Sequence, residues 1–344
     1  MRHLCLTLAA SAALLATSAV AQGPYKVIKT VKTGGDGGMD YVYADSVGRR
    51  LYVPRTGPTP RITVFDLDTL APTGAVAETN ARGAAVDPKS GHGFVTSKPV
   101  VMFDTKTLAV IKKIDVQGGP DGLLFDPFND RVWIFSHSAP NATVIDSKSG
   151  EIVGTVDLGG APEQAVTDGK GHIYVDIEDK DNVAAIDAKT MTVTAHYALG
   201  EKGGTPAGLA LDAKNGILFV ACRKPANMVM MSVKDGKVLE ALPIGAGSDG
   251  AVFNPNTLEA FSSQGDGTLT IIKEKSPTSF EVEQTVTTPM RAKTLTLDAK
   301  TGNVLLITAE YGAPPAPAPG APAGRGGRGG PMIPDSFMIV VVGK

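Results

Sequence analysis

Cysteine, tryptophan, metal-binding histidine spacings, long apolar runs and an excess of one charge are all missing or scarce in this sequence, and each absence excludes something. Of the two cysteines, Cys5 and Cys222, the first falls in an apolar leader. The chain without its leader would therefore carry one thiol and could close no internal disulfide, although an exported protein could form one. Cys222 reads as a buried structural thiol beside Arg223. No C-x-x-C-H occurs, which excludes covalently attached c-type haem. No H-x-H or H-E-x-x-H spacing occurs either, so zinc is not expected. No apolar run reaches the roughly 20 residues that a membrane-spanning helix needs.

The leader itself is legible. Arg2 precedes an apolar run from Leu4 to about Leu15, and Ala19-Val20-Ala21 stands just before Gln22. This is the pattern of a secretory signal peptide over residues 1–21, cleaved near Ala21-Gln22, and it implies a periplasmic or secreted protein. The full chain has 33 basic and 35 acidic residues; losing Arg2 leaves 32 against 35 and a net charge of −3. So weak a charge lacks the basic groove that phosphate tracking requires, which makes nucleic acid a minor alternative among partners.

What the sequence does contain is a repeat. An apolar strand ending in Asp or Asn, a short turn and a second apolar strand recur seven times, anchored on Asp45, Asp87, Asp126, Asp168, Asp212, Asn254 and Asp298. The spacings run from 39 to 44 residues, the length of a four-stranded propeller blade. Asp and Asn suit the anchor because their side chains accept from backbone NH groups two residues on. A second turn signal ends the third strand, as in Val64-Phe65-Asp66, Met102-Phe103-Asp104, Val144-Ile145-Asp146 and Ala185-Ile186-Asp187, with Thr or Ser three residues later. The expected fold is all-β: a seven-bladed β-propeller of four-stranded antiparallel blades over 22–344. The seventh unit lacks an outer strand, and Tyr25 to Val31 has the outer-strand pattern, so the N-terminal strand should pair in the last blade and close the ring. Nothing in the sequence calls for an oligomer, and a monomer is expected.

With Phe94-Val95-Thr96-Ser97 as its nearest copy, the repeat resembles that of the YVTN-repeat, YncE-like family of seven-bladed propellers, and the resemblance covers residues 25 to 344. WD-repeat and quinoprotein propellers would need recurring tryptophan, of which there is only Trp133. The resemblance implies a binding or scaffold protein, because the family has no consistent catalytic signature; single-stranded DNA binding has been associated with it.

The repeat also sorts residues between two faces. Five positions before each anchor lie Asp40, Arg82, Asp121, Glu163, Ala207, Asp249 and Lys293, expected to ring the channel mouth on the face of the b-to-c and d-to-a loops. Arg55, Arg61, Arg82, Arg223, Arg291, Arg325 and Arg328 are assigned to that face, and Arg49, Arg50 and Arg131 to the other. Since the arginine fork suits carboxylates and phosphates, the expected partner is a small anionic molecule, a peptide or an envelope protein, held by Asp40, Arg82, Asp121, Glu163, Asp249, Lys293, Arg55 and Arg223. The alternative is a lactonase-type hydrolase in which Glu163 or Asp121 activates water and Arg82 steadies the oxyanion; His137 is a further candidate base. No cofactor motif is evident. Ca²⁺ is the ion that neighbouring carboxylates could hold, with Asp176, Glu178, Asp179 and Asp181 as candidates, although their run lacks the glycine and terminal glutamate of an EF-hand loop. One segment breaks the repeat: residues 312–334, rich in Pro, Gly and Arg, cannot supply a core and should form a flexible loop inserted in blade seven.

Overall fold

The computed structural model describes residues 23–35, 37–313 and 330–344. The segment 1–21 expected to be a signal peptide, Arg325, Arg328 and the middle of the 312–334 segment lie outside the described residues. Blade one is β2 (Tyr43–Asp45), β3 (Arg50–Arg55), β4 (Arg61–Asp66) and β5 (Pro72–Ala77), after an N-terminal β1 (Lys26–Lys32). Blade two is β6 (Ala84–Asp87), β7 (His92–Val95), β8 (Val100–Asp104) and β9 (Val110–Ile114); blade three is β10 (Pro120–Asp126), β11 (Arg131–Ser136), β12 (Asn141–Asp146) and β13 (Ile152–Asp157). Blade four is β14 (Pro162–Thr167), β15 (His172–Ile177), β16 (Asn182–Asp187) and β17 (Thr192–Ala198); blade five is β18 (Pro206–Asp212), β19 (Ile217–Cys222), β20 (Asn227–Ser232) and β21 (Val238–Pro243). Blade six is β22 (Ser248–Asn254), β23 (Glu259–Gln264), β24 (Thr268–Ser276) and β25 (Ser279–Thr287), and blade seven contributes β26 (Thr294–Leu297), β27 (Val304–Thr308) and β28 (Met338–Gly343). No described helix is long and apolar enough to cross a membrane.

Seven four-stranded antiparallel sheets result, and the last has the order β1-β28-β27-β26. The ring is thus closed by the N-terminal strand, with Lys26 opposite Gly343 and Lys32 opposite Met338. Tyr25 fastens this closure to blade six. Its hydroxyl donates to Glu259, while the Gln284 side chain accepts from Tyr25 N at 3.0 Å and donates to Tyr25 O at 2.7 Å.

The second strands read as continuous apolar runs because both of their faces are covered by neighbouring blades. β19 is buried throughout. Hydrophobic clusters accordingly lie between adjacent blades: Phe261, Ile271 and Leu306 between six and seven, Val53, Phe65 and Ile339 between one and seven, Trp133, Val144 and Ile186 between three and four. In blade six β23 is buried yet polar, and Ser262, Ser263 and Gln264 are satisfied by Ser248 Oγ, Lys293 O and Ser262 O. This is why only Ala260-Phe261 is visible there as an apolar signal. The outer strands are edges, and each outer pair carries a register shift, as at Val64/Phe65 or Ile271/Ile272. Such bulges blunt an edge against pairing with another chain.

Turn chemistry follows the residue signals closely. Asp45 accepts from Val47 N and Gly48 N at 3.1 and 2.8 Å, and Asp66, Asp104, Asp146 and Asp187 each accept from the NH three residues on at 2.7–2.8 Å. The anchors do more than turn the chain. Asp87 accepts from Ser147 Oγ of the next blade at 2.7 Å, Asp126 from Thr167 Oγ1 at 2.8 Å and Asp298 from Arg49 at 2.6 Å.

Near the axis the innermost strands converge until only glycine fits. A Cβ on Gly208 would stand 2.6 Å from the carbonyl carbon of Gly250, and one on Gly122 would stand 2.5 Å from Glu163 O. Backbone cannot give way as a flexible side chain can, so Gly208→Ala is expected to destabilise the ring by about 2 kcal/mol. The urea midpoint measures it, with Gly265→Ala as the control because its Cβ would come no nearer than 3.5 Å to another atom and its φ lies outside the left-handed region.

Candidate functional site

The loop face gathers charged side chains from two positions of the repeat. At or just before the first strand of their blades stand Asp40, Arg82, Asp121, Glu163, Asp249 and Lys293, five positions ahead of the anchors. Immediately after the second strand stand His137, Glu178 and Arg223, which follow Ser136, Ile177 and Cys222. Two concentric sets of side chains therefore meet at one channel mouth. Arg82 reaches Asp40 at 2.9 Å and Asp121 at 3.5 Å; His137 Nε2 lies 3.2 Å from Glu178 Oε2 and 3.6 Å from Glu163 Oε1. Arg223 forks between Glu178 and Asp249, and Lys293 also pairs with Asp249. Arg82, Asp121, His137, Glu163, Glu178 and Arg223 line an open cleft of about 480 Å³. Beneath it a second cavity of about 270 Å³ enters the channel between Tyr41, Leu123, Phe125, Gln164, Val252 and Leu295.

Behind the mouth, fixed dipoles hold these side chains. Tyr41 is half-buried, and desolvation of its hydroxyl, then the nearby Glu163 charge, keep it protonated far above the ordinary tyrosine value; it donates to Glu163 Oε2 at 2.8 Å. Gln164 braces three blades: its Oε1 accepts from Leu209 N and Ala251 N at 3.0 Å, and its Nε2 donates to Ala251 O at 2.9 Å. Asp176, fully buried, accepts from Gln164 N at 2.6 Å. Burial, then the Glu163 charge, push its carboxyl well above the usual range.

Burial is the main cause that raises three acids of the mouth, Asp40, Asp121 and Glu163. It pushes Glu163 up to about 7 against the Tyr41 hydrogen bond, with Glu178 and Asp121 adding repulsion, and Asp40 up to about 6 with Asp121 adding to it. Glu274, remote from the mouth, is raised by burial to about 7. Each of these carboxyls holds its proton more tightly folded than unfolded, so folding takes up protons. Their contribution to stability is full below the ordinary carboxyl range near 4 and is lost as pH rises to about 7. The turn aspartates Asp66, Asp104, Asp146 and Asp187, lowered by hydrogen bonds from Thr and Ser, act in the opposite direction and lose their contribution as pH falls from the ordinary aspartate value through their lowered folded values. The melting temperature is therefore expected to peak near pH 5 and fall toward pH 8. Scans of Asp40→Asn with Glu274→Gln should show a flatter decline; an unchanged slope would refute the assignment.

Several expectations need correction. Asp176, Glu178, Asp179 and Asp181 do not converge as an ion loop: Asp176 is interior, Glu178 faces the mouth, Asp179 accepts from Ala161 N at 2.7 Å and Asp181 from Thr205 N at 2.6 Å. Alternation along β15 and the 3-10 turn Glu178–Lys180 send them to different places. Four of the described loop-face arginines are already engaged. Arg82 and Arg223 are paired with rim carboxylates, Arg55 is buried with its guanidinium 3.7 Å over Phe337, and Arg291 lies 4.0 Å over Tyr311. The reading of Cys222 as a buried thiol stands: it is buried, and burial pushes its thiol up to about 12. His137, the further candidate base, contacts two glutamates of the next blade. The signal for it was available: His137, Glu178 and Arg223 each fall ten or eleven residues after an anchor.

No family model and no curated protein matches this sequence. Solved structures do. A chain from the crystal structure of a mitotic checkpoint complex superposes with a TM-score of 0.71, over 89% of this chain and 95% of that one, at 12% identity. At that identity the likeness is one of fold alone, and 1734 solved chains match, so the architecture by itself selects no activity.

Proposed function

We propose that the protein is an exported binding propeller of the YVTN-repeat, YncE-like kind, and that it receives its ligand at the charged mouth of the loop face. One observation carries this reading: charged side chains from all seven blades meet at the mouth of one open cleft, whereas the aspartates of the other face serve its turns and the contacts between neighbouring blades. Asp40, Asp121, Glu163, Glu178 and Asp249 outnumber Arg82, Arg223 and Lys293 by two, and an incoming anion would have to displace carboxylates already bound to the arginines. The favoured ligand is therefore a small molecule or peptide that presents a cationic group or a bound metal ion. A thermal-shift screen of the chain without its leader, in chelator, against polyamines, basic peptides, organic acids, lactones and oligonucleotides tests this. Ligand at one hundred times Kd adds about 2.7 kcal/mol to the native state. A cationic hit lost in Asp249→Asn supports the reading; hits confined to organic acids or oligonucleotides reject it.

The hydrolase alternative has a specific observation in its favour. Glu163, with a pKa near 7, shares the cleft with His137 and Arg82, a base beside a cation. Lactone hydrolysis abolished by Glu163→Gln would establish it in place of simple binding.

A further inference from the structure

We propose that His137, Glu163 and Glu178 form a binding site for one first-row divalent transition-metal ion at the mouth of the channel. Their ligand atoms all lie within 4.8 Å of one another. Two ligands held about 2.1 Å from one ion at tetrahedral or octahedral angles stand roughly 3.0–3.4 Å apart, and His137 Nε2 lies 3.2 Å from Glu178 Oε2 and 3.6 Å from Glu163 Oε1.

The orientation of each carboxylate argues further. Glu163 is held through Oε2 by the Tyr41 hydroxyl and presents Oε1; Glu178 is held through Oε1 by Arg223 and presents Oε2. Each therefore has one oxygen tied by a donor outside the cluster and the other turned to the same point, the arrangement that outer hydrogen bonds impose on monodentate metal ligands. The donors come from three separate segments: the loop after β11, the start of β14 and the turn after β15. No sequence spacing could display them as a motif, which is why the absence of H-x-H and H-E-x-x-H did not reveal the site.

One imidazole with two carboxylates favours Zn²⁺ or Mn²⁺. Ca²⁺ prefers six to eight oxygen ligands. The three ligands would leave coordination positions facing the 480 Å³ cleft, where a ligand's oxygen or nitrogen could complete the shell. That use of the ion rests on the reading of the mouth as a ligand site; its binding does not.

Calorimetric titration of chelator-stripped protein with Zn²⁺, Mn²⁺ and Ca²⁺, with metal content by mass spectrometry, tests the proposal. One Zn²⁺ per chain is expected, with Mn²⁺ weaker in the usual order of affinities and Ca²⁺ weaker still. His137→Ala and Glu163→Gln should each weaken Zn²⁺ by at least about 30-fold, and Tyr41→Phe by about 10-fold through the lost outer hydrogen bond. Asp179→Asn with Asp181→Asn should change nothing. Circular dichroism establishes that each variant is folded. Absence of stoichiometric uptake by the folded protein, Ca²⁺ binding as tightly as Zn²⁺, or uptake unchanged in His137→Ala would each overturn the site. Metal uptake without any hit when the thermal-shift screen is repeated with Zn²⁺ in place of chelator would uphold the ion while rejecting the mouth as a ligand site.

Discussion

A chain beginning at residue 33 is expected to lose its cooperative calorimetric transition. Removing β1 strips β28 of six paired residues and uncovers a strand that is buried along its whole length. Burial of Tyr25 with the partly buried Val27 and Val31 is worth about 5 kcal/mol, at roughly 25 cal/mol per Å² of apolar surface, and the lost ladder adds about 1 kcal/mol for each hydrogen bond. The sum rivals the whole stability of a domain, about 5–15 kcal/mol. Two further consequences follow from position. Glu259, buried beneath Tyr25, loses its hydroxyl donor, and Lys344 loses the ring over which its ammonium lies at 4.8 Å. The bare edge of Met338–Gly343 also becomes a template for pairing with other chains. Concentration-dependent aggregation should accompany the lost endotherm, and a synthetic peptide of residues 23–33 should restore part of it by strand addition. A truncated chain that melts like the intact one would contradict the closure described.

Arg223→Ala is expected to cost about 3 kcal/mol and to lower the melting temperature by roughly 6 °C, at about 2 °C per kcal/mol for a chain of this size. The guanidinium bridges Glu178 of blade four and Asp249 of blade six from its place after the second strand of blade five, and its side chain is 27% exposed. Its removal leaves two largely buried carboxylates without their shared cation. Arg82→Ala is the informative comparison. Arg82 also lies between two aspartates, but its side chain is 56% exposed, and solvent replaces most of what it contributes, so the loss should stay below about 1 kcal/mol. Arg223→Lys should fall between the two, since an ammonium keeps the charge and loses the planar fork that spans both partners. Restoring part of the loss with Glu178→Gln and Asp249→Asn would show that stranded charge, rather than lost packing, is the cause. Equal effects of Arg223→Ala and Arg82→Ala would refute this account.

The mouth was half legible. Asp40, Arg82, Asp121, Glu163, Asp249 and Lys293 could be placed around one opening because they occupy a fixed offset from each anchor, and a propeller puts one repeat position at one radius and height. Their pairing could not be read, since Arg82 meets Asp121 across 39 residues and Arg223 meets Glu178 across 45. The expectation of an anionic ligand rested on the same blind spot: a count of arginines on a face does not include the carboxylates that already pair with them. Asp176 shows a second limit. In the run from Asp176 to Asn182 the residue types suggest a solvated acidic hairpin, yet alternation along β15 buries the first of them and directs Glu178 to the cleft.

The repeat, its period and its turn chemistry were determined by local sequence, because a strand that buries both faces must be apolar and a tight turn needs a short side chain that accepts from the backbone. Blade number and ring closure follow from these, the latter because one unit lacks an outer strand and one spare strand has that pattern. Which charges neutralise one another, which acids are raised, and that His137 shares a point with Glu163 and Glu178 were decided only by tertiary structure. Those properties depend on distances between blades and on the water excluded between them, and packing seven sheets around one axis creates both.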